Sequence, residues 1–230
     1  MTLQQKKERA QLVIAALKDL YPDAACALQW GDDPWRLLVM GRLSAQCTDK
    51  RVNEVAKDLF VAFPTAQDMA AADVEQIEQH VKPCGLYHMK ARDLKESARQ
   101  LVDTFGGELP HTMEELLTLA GVGRKIANLL LGDVFGQPSV VTDTHCIRIC
   151  GRLGFYPEKE KTPRKIEKIL REILPPEESS DFCHRIVEFG RDVCMARSPK
   201  CEDCLLGARG LCEKQTKAAR KKAAAQKGEP

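Results

Sequence analysis

Apolar residues recur at helical spacing along almost the whole of this chain, and the runs are cut by proline and glycine. Leu12/Val13, Ala16/Leu17 and Leu20 form a stripe that stops at Pro22. Asp33-Pro34 puts a capping side chain before a proline at the first helical position, which opens a helix to about Gln46. Val52, Val55/Ala56, Leu59/Phe60 and Phe63 keep one face apolar up to Pro64, and a shorter helix runs from Asp73 through Val74, Ile77 and Val81 to Pro83. The spacing predicts a further helix from about Tyr87 to Phe105, ended by Gly106-Gly107. Thr112 with Glu115 is a capping box at the head of a helix to Leu119, and helix resumes from Arg124 to about Phe135. Asp143 caps a helix to Arg152, Thr162-Pro163 starts another, and the last long one spans about Ser180 to Val193. The one β-branched run, Val140-Val141-Thr142, is too short to found a sheet. The fold class is all-α.

Composition bounds what such helices can build. At 230 residues and 43% hydrophobic content, there is enough apolar material for one large domain or two small ones. Lys+Arg 35 against Asp+Glu 33 excludes a polyacidic or polybasic disordered chain. It does not exclude nucleic acid, because charge can be segregated. The last eighteen residues hold six Lys/Arg and two Glu, so 214–230 is expected to be a basic tail, disordered or fraying. No stretch has the apolar length of a membrane span, and Met1 to Ala10 do not resemble a signal peptide. The expectation is a reducing, intracellular setting, by default the bacterial cytoplasm, with no membrane partner.

Ten cysteines in such a compartment are metal ligands where they cluster and small core hydrophobes elsewhere. Four crowd together as Cys194-x6-Cys201-x2-Cys204-x7-Cys212. Short loops bring their sulfurs together at little entropic cost. A structural zinc site usually shows two C-x2-C pairs, whereas here one pair is flanked by single cysteines at wider spacing. That pattern suits a [4Fe–4S] cube, which needs one thiolate per iron, better than zinc. Held at both ends by metal, the loop between the first two ligands would present Arg197 and Lys200 as a basic projection for a phosphate, with Arg191 nearby. As ordinary surface residues they would be solvated charge.

Leu116-Leu117-Thr118-Leu119-Ala120-Gly121-Val122-Gly123-Arg124-Lys125 has the pattern of a helix–hairpin–helix. Gly121, Val122 and Gly123 make the tight turn, and backbone amides open toward the N-terminus of the next helix. That is an anion site suited to a DNA phosphate, and it reads no base sequence. Lys125 falls in the first turn of that helix. A helix N-terminus and adjacent Arg124 both disfavour a cation there, so a neutral, nucleophilic amine is easier to populate. Eighteen residues later comes Val141-Thr142-Asp143-Thr144-His145. Asp143 is a helix cap first, and its carboxylate can also stabilise a developing positive sugar. His145 is assigned no role.

Taken in order, these three elements resemble the endonuclease III family, within the helix–hairpin–helix–Gly-Pro-Asp superfamily of DNA glycosylases. Two further segments share the resemblance, Leu43-Ser44-Ala45-Gln46-Cys47-Thr48-Asp49 and Gly85-Leu86-Tyr87, and it covers about residues 20 to 213. It implies that Lys125 is a Schiff-base nucleophile with Asp143 as its carboxylate partner. It also implies that Gln46 and Leu86 fill the gap left by a flipped nucleotide. The implied fold is two helical domains with a DNA cleft between them. One is a six-helix barrel over 25–137; the other, an iron–sulfur domain, is built from 1–24 and 138–213. The chain departs from the family pattern in three places. Ala120 stands where proline is usual, which would loosen the hairpin. The last cysteine loop has seven residues where five are typical, with Gly207 and Gly210 available to absorb the extra length. The proline that usually precedes the aspartate is replaced by Val141-Thr142.

The implied activity is that of a bifunctional DNA glycosylase and lyase, excising oxidised pyrimidines from duplex DNA and nicking at abasic sites, as a monomer. An adenine-mispair glycosylase is the second reading. That branch usually lacks the hairpin lysine and carries an additional C-terminal domain, so Lys125 and a chain ending at Pro230 count against it. A non-catalytic iron–sulfur DNA-binding or redox-sensing protein is the third, and it would need neither Lys125 nor Asp143.

Overall fold

The structure, a computed structural model, describes residues 1–214. In chain order the helices are α1 (Leu3–Leu20), α2 (Pro34–Leu43), α3 (Asp49–Ala62), α4 (Ala66–Ala71), α5 (Val74–Val81), α6 (Tyr87–Phe105), α7 (Met113–Leu116), α8 (Arg124–Asp133), α9 (Thr144–Arg152), α10 (Pro163–Ile173), α11 (Ser179–Asp192) and α12 (Leu205–Ala208). Among the described residues there is no strand, as the periodicity predicts, and no helix is long and apolar enough to cross a membrane. The basic tail expected over 214–230 lies outside the described residues apart from Lys214. The chain divides into two compact units. One is Cys26–Gln137; the other joins Met1–Ala25 to the described residues from Pro138 onward.

In the 26–137 unit, α2 is central. Eight of its ten residues are buried, including Leu37, Leu38 and Met40 with no exposed surface. A helix apolar all round belongs in the middle of a bundle, and each such side chain contributes about 2 kcal/mol by leaving water. Asp33 opens it by accepting from the amides of Trp35 and Arg36. A Cβ at Gly41 would sit 3.4 Å from Ile126 of α8, so the small residue lets α8 pack closely on α2. The helix stops at Leu43, three residues short of the expected Gln46, because Gln46 takes a left-handed φ of 53° before Thr48 caps α3.

Other boundaries also shift. Helix α4 was not anticipated, although Thr65 and Asp68 form a reciprocal capping box at its head. Helix α7 ends at Leu116 and not Leu119, as the chain tightens into turns at Thr118 and Leu119. Only half of the box predicted there forms. Thr112 Oγ1 accepts from the Glu115 amide, but the Glu115 carboxylate accepts from the Thr112 hydroxyl and not from its backbone. Helix α8 closes at Asp133 ahead of Gly136, which has φ +61°.

The other unit packs α1, α9, α10 and α11 around Phe155, Phe182 and Phe189. Helices α9 and α11 cross so closely that a Cβ at Gly190 would collide with His145 Nδ1. That places His145 in packing, in keeping with its lack of an assigned role. Of the six cysteines outside the cluster, Cys84, Cys146, Cys150 and Cys183 are buried, and Cys26 and Cys47 are half-buried against the core.

Candidate functional site

The hairpin joins α7 to α8. Val122 N–H donates to Leu119 O at 3.1 Å, closing the turn around Gly121, whose φ is +72°. A Cβ at Gly121 would lie 2.7 Å from the Arg42 side chain and 2.8 Å from Asp93 Cβ. Arg42 is itself buried and donates to Asp93 Oδ2 at 2.7 Å, so the turn rests on an ion pair joining α2 to α6. Gly123 is different. Its φ of −97° suits any residue and a Cβ there would meet nothing within 4 Å, so no contact within the chain demands glycine. Helix α8 starts with no side-chain cap, and Lys125 stands exposed on its first turn.

Ala120 gives the turn a contact that proline could not. Its N–H, which a proline would lack, donates to Gln100 Oε1 of α6 at 2.7 Å. The departure from the family pattern therefore comes with its own tether.

Gln46 and Leu86 also lie in the 26–137 unit, on separate loops. Both are exposed, Leu86 at 46%. With Asp32 they are the non-glycine residues at positive φ among the described residues, Leu86 at 50°. A leucine held in the left-handed region with its side chain in water is costly on both counts. Local structure fixes Leu86 there. Lys82–Cys84 form a 3₁₀ turn, Gly85 has φ +69°, and Leu86 then serves as the N-cap of α6.

In the other unit Asp143 caps α9, its Oδ1 accepting from the Cys146 amide at 2.7 Å. The structure brings Cys194, Cys201, Cys204 and Cys212 together on the wall of one recess of about 380 Å³, counting its open mouth. Ile149, Leu153, Phe189 and Leu206 complete its apolar side. Among the described residues, no three His, Cys, Asp or Glu are disposed to hold a single metal ion. Burial pushes the Cys204 thiol up, so a thiolate at that position needs positive charge beside it. Donors already point at these sulfurs: Arg152 Nη1 to Cys194 Sγ at 3.2 Å and the Gly207 amide to Cys204 Sγ at 3.4 Å. Four sulfurs on the wall of one recess make an all-sulfur donor set, which fits a cluster with one thiolate per iron.

The long last loop is absorbed by α12, one helical turn closed by Gly210 at φ +70°, with Leu211 N–H returning to Leu206 O at 2.9 Å. Gly207 lies inside that turn and is not needed for positive φ. Cys212 keeps its place on the wall, 3.6 Å from Arg152 O. The 195–200 loop is less of a free basic projection than expected. Arg197 is exposed, but Lys200 pairs with Asp192 Oδ1 at 3.3 Å.

Three residues that shape these features escaped sequence reasoning: Gln100, Lys90 and Arg152. Arg152 is 6% exposed and donates to Met195 O at 2.9 Å and Ala196 O at 3.0 Å, cupping the loop after Cys194. Arg148, one turn earlier on α9, donates to Cys194 O at 3.1 Å. Two arginines spaced i, i+4 on α9 stand more than forty residues before the loop they hold, with α10 and α11 between, so sequence spacing offered no signal for the contact.

A hairpin with an uncapped helix behind it, an exposed lysine at that helix's start and four cysteines on one recess define a class. The profile of the HhH-GPD superfamily of base excision DNA repair proteins matches residues 39–176. Endonuclease III of Synechocystis sp. is 43% identical over 202 residues, 87% of this chain and 91% of that protein. A solved non-covalent endonuclease III–DNA complex superposes with a TM-score of 0.86 at 39% identity, covering 96% of this chain and 99% of that one. A trapped endonuclease III–DNA covalent intermediate gives the same TM-score and identity over 95% and 99%. The chain therefore belongs to the HhH-GPD superfamily and, within it, to the endonuclease III family. It is a base excision repair DNA glycosylase and abasic-site lyase.

Proposed function

We propose that this enzyme excises oxidised pyrimidines from duplex DNA and cuts at the resulting abasic sites through a Schiff base on Lys125. The observation that carries this is Lys125 itself, exposed on the first turn of an uncapped α8, two residues after a glycine that the chain's own packing does not require. Gly121, Val122 and Gly123 would receive a DNA phosphate on their backbone, and close approach of that phosphate would account for Gly123. Gln46 and Leu86 are read as the two residues that enter the stack when the damaged nucleotide is flipped out. Damaged bases unstack most readily, which is one source of selectivity. Arg197 and Lys200 would add phosphate contacts from the cysteine-bearing unit.

The neutral Lys125 amine attacks sugar C1′, and the base leaves with the glycosidic electron pair and takes up a proton. The amine then loses a proton, and the ring oxygen departs from C1′ and is protonated, giving an iminium. Removal of a C2′ proton sends electrons through the imine and expels the 3′ phosphate, and water finally frees the lysine. Asp143 stabilises the positive sugar and assists proton movement while keeping its cap to Cys146 N–H.

Cys194, Cys201, Cys204 and Cys212 would hold a [4Fe–4S] cluster, which when bound ties the 194–212 segment together. The proposal extends to architecture, with a six-helix barrel over 25–137 and an iron–sulfur domain from 1–24 and 138–213. It extends also to a monomer working in the bacterial cytoplasm on duplex DNA with damaged pyrimidines or abasic sites.

The test is borohydride added during reaction with a thymine-glycol duplex. A covalent protein–DNA adduct, lost in Lys125→Gln together with strand nicking while fold and iron content persist, is the expected result. An adduct at wild-type rate in Lys125→Gln removes the lysine assignment. Base release by wild type with no trapping means a glycosylase that lacks the Schiff base.

A further inference from the structure

Among the described residues, Lys90 is the lysine with no exposed surface. It sits in the first turn of α6, four residues after Leu86, and its ammonium makes two hydrogen bonds of 2.8 Å. One goes to Leu43 O, the last residue of α2 and three positions before Gln46. The other goes to Cys84 O, two positions before Leu86. The same side chain thus holds the roots of both loops whose tips are exposed residues at left-handed φ.

A buried ammonium is tolerated only while its partners stay in place, because a charge stranded away from water has no other compensation. Leu43 O lies among the last carbonyls of α2, which lack intrahelical partners and form the negative end of its dipole. Cys84 ends a 3₁₀ turn that Gly85 N–H closes on Lys82 O at 3.2 Å, so its carbonyl is held at a fixed place. If either loop moved, Lys90 would lose a carbonyl it cannot replace with water. Beside it, the Cys84 side chain is buried in the core of this unit, with Cys47, one residue from Gln46, packed against the same core. Burial also pushes the Lys90 ammonium below the ordinary lysine range, the nearby sulfurs opposing.

We propose that Lys90 is a positioning residue for base extrusion: by gripping Leu43 O and Cys84 O it fixes the spacing of Gln46 and Leu86, so that both enter the duplex in register. It touches neither DNA nor the reacting sugar. The inference rests on the wedge reading of Gln46 and Leu86. Its consequence is selective. Excision from paired DNA, which needs both wedges, should depend on Lys90. Nicking of a ready-made abasic site in a single strand, which needs no extrusion, should not.

The experiment compares Lys90→Met, of similar length but without charge or donors, with Gln46→Ala, Leu86→Ala and the Lys90→Met/Leu86→Ala double variant. Each is assayed on a thymine-glycol duplex and on single-stranded abasic DNA, below its melting temperature. Lys90→Met is expected to slow duplex excision by about tenfold or more while single-strand nicking stays within about twofold. Leu86→Ala should cost little further in the Lys90→Met background, since a wedge already out of register has less to lose. Equal loss on both substrates, or full additivity in the double variant, overturns the proposal. So does Lys90→Met excising normally while Leu86→Ala and Gln46→Ala are defective. If the two alanine variants show no duplex-specific loss, the wedge reading itself is wrong. Should Lys90→Met not fold, Lys90→Gln, which keeps two donors on a shorter neutral arm, is carried through the same comparison with an intermediate duplex defect expected.

Discussion

The two units each contain irregular segments that must hold still, and they achieve it with different chemistry. In the 26–137 unit the chain supplies its own clasps. Lys90 grips two loop carbonyls, Arg42–Asp93 sits under Gly121, and Gln100 tethers Ala120. Among the described residues, those at positive φ other than glycine, Asp32, Gln46 and Leu86, fall in this unit. In the other unit Arg148 and Arg152 hold the loop after α11 by its carbonyls, and Arg152 lines the same recess as the four cysteines. The difference shows where each part spends its constraint. Internal hydrogen bonds can hold a strained conformation without any ligand, whereas the cysteine segment, clasped by two arginines, also turns four sulfurs to a recess whose further constraint would come from what binds there.

The largest break in this comparison should come from Cys204→Ser. Cys204 Sγ also caps α12 by accepting from Gly207 N–H, and serine is at least as good at that task. The substitution therefore spares the cap and removes only the soft donor. Iron per chain and the visible absorption should collapse, and amide exchange should rise across 193–212 while the 26–137 unit keeps its protection. Stoichiometric zinc in the wild type, with no iron, would sink the cluster assignment.

Arg152→Met comes next. It leaves Met195 O, Ala196 O and the Cys194 sulfur without a charged donor, and a buried charge-assisted network of this kind is worth about 3 kcal/mol. Denaturant unfolding should register that loss, together with faster iron release to a chelator. Unchanged iron release would show that the cluster segment holds itself.

In the sequence, features that depend on near neighbours were legible and those that depend on tertiary approach were not. Asp33-Pro34 and Asp143 announced their caps because a capping side chain reaches amides two or three residues on. Helix α4 was missed because six residues offer only Ala66 and Met69 to the core, too little for a periodic signal. Helix α12 was hidden because its cap is a cysteine, read as a ligand. The four cysteines were legible from spacing, and the structure places them on one recess. Lys90, Gln100 and Arg152 were not, since a charged or amide side chain on a helix ordinarily faces water. Only the approach of another segment's carbonyl or amide gives it a buried partner. The left-handed backbone of Leu86 left no trace either, because leucine carries no preference for that region.

A smaller effect belongs to Gln100→Leu, which strands the Ala120 N–H inside the 26–137 unit. The cost should be about 1–2 kcal/mol by denaturant unfolding, with iron content unchanged. Adding Ala120→Pro to that variant removes the stranded donor and should restore part of the stability. If Ala120→Pro instead destabilises the Gln100→Leu protein further, the N–H is not what Gln100 was serving.

The smallest stability effect, and the most discriminating, is at Asp143, which carries a cap and a proposed catalytic charge on one side chain. Its Oδ1 accepts from the Cys146 amide at 2.7 Å, a bond that an asparagine oxygen can also accept. Asp143→Asn should therefore leave the melting temperature nearly unchanged, whereas Asp143→Ala should lower stability by about 1 kcal/mol through loss of the cap. Activity should divide differently. Both substitutions remove the negative charge, so both should slow base release and lyase chemistry to a similar extent while DNA affinity stays near wild type. If Asp143→Asn keeps wild-type rates, the carboxylate is only a cap, and its place in the mechanism falls. If Asp143→Asn is as unstable as Asp143→Ala, the cap needs the charge to complement the positive end of α9, and the rate loss would have to be corrected for misfolding before any of it is assigned to chemistry.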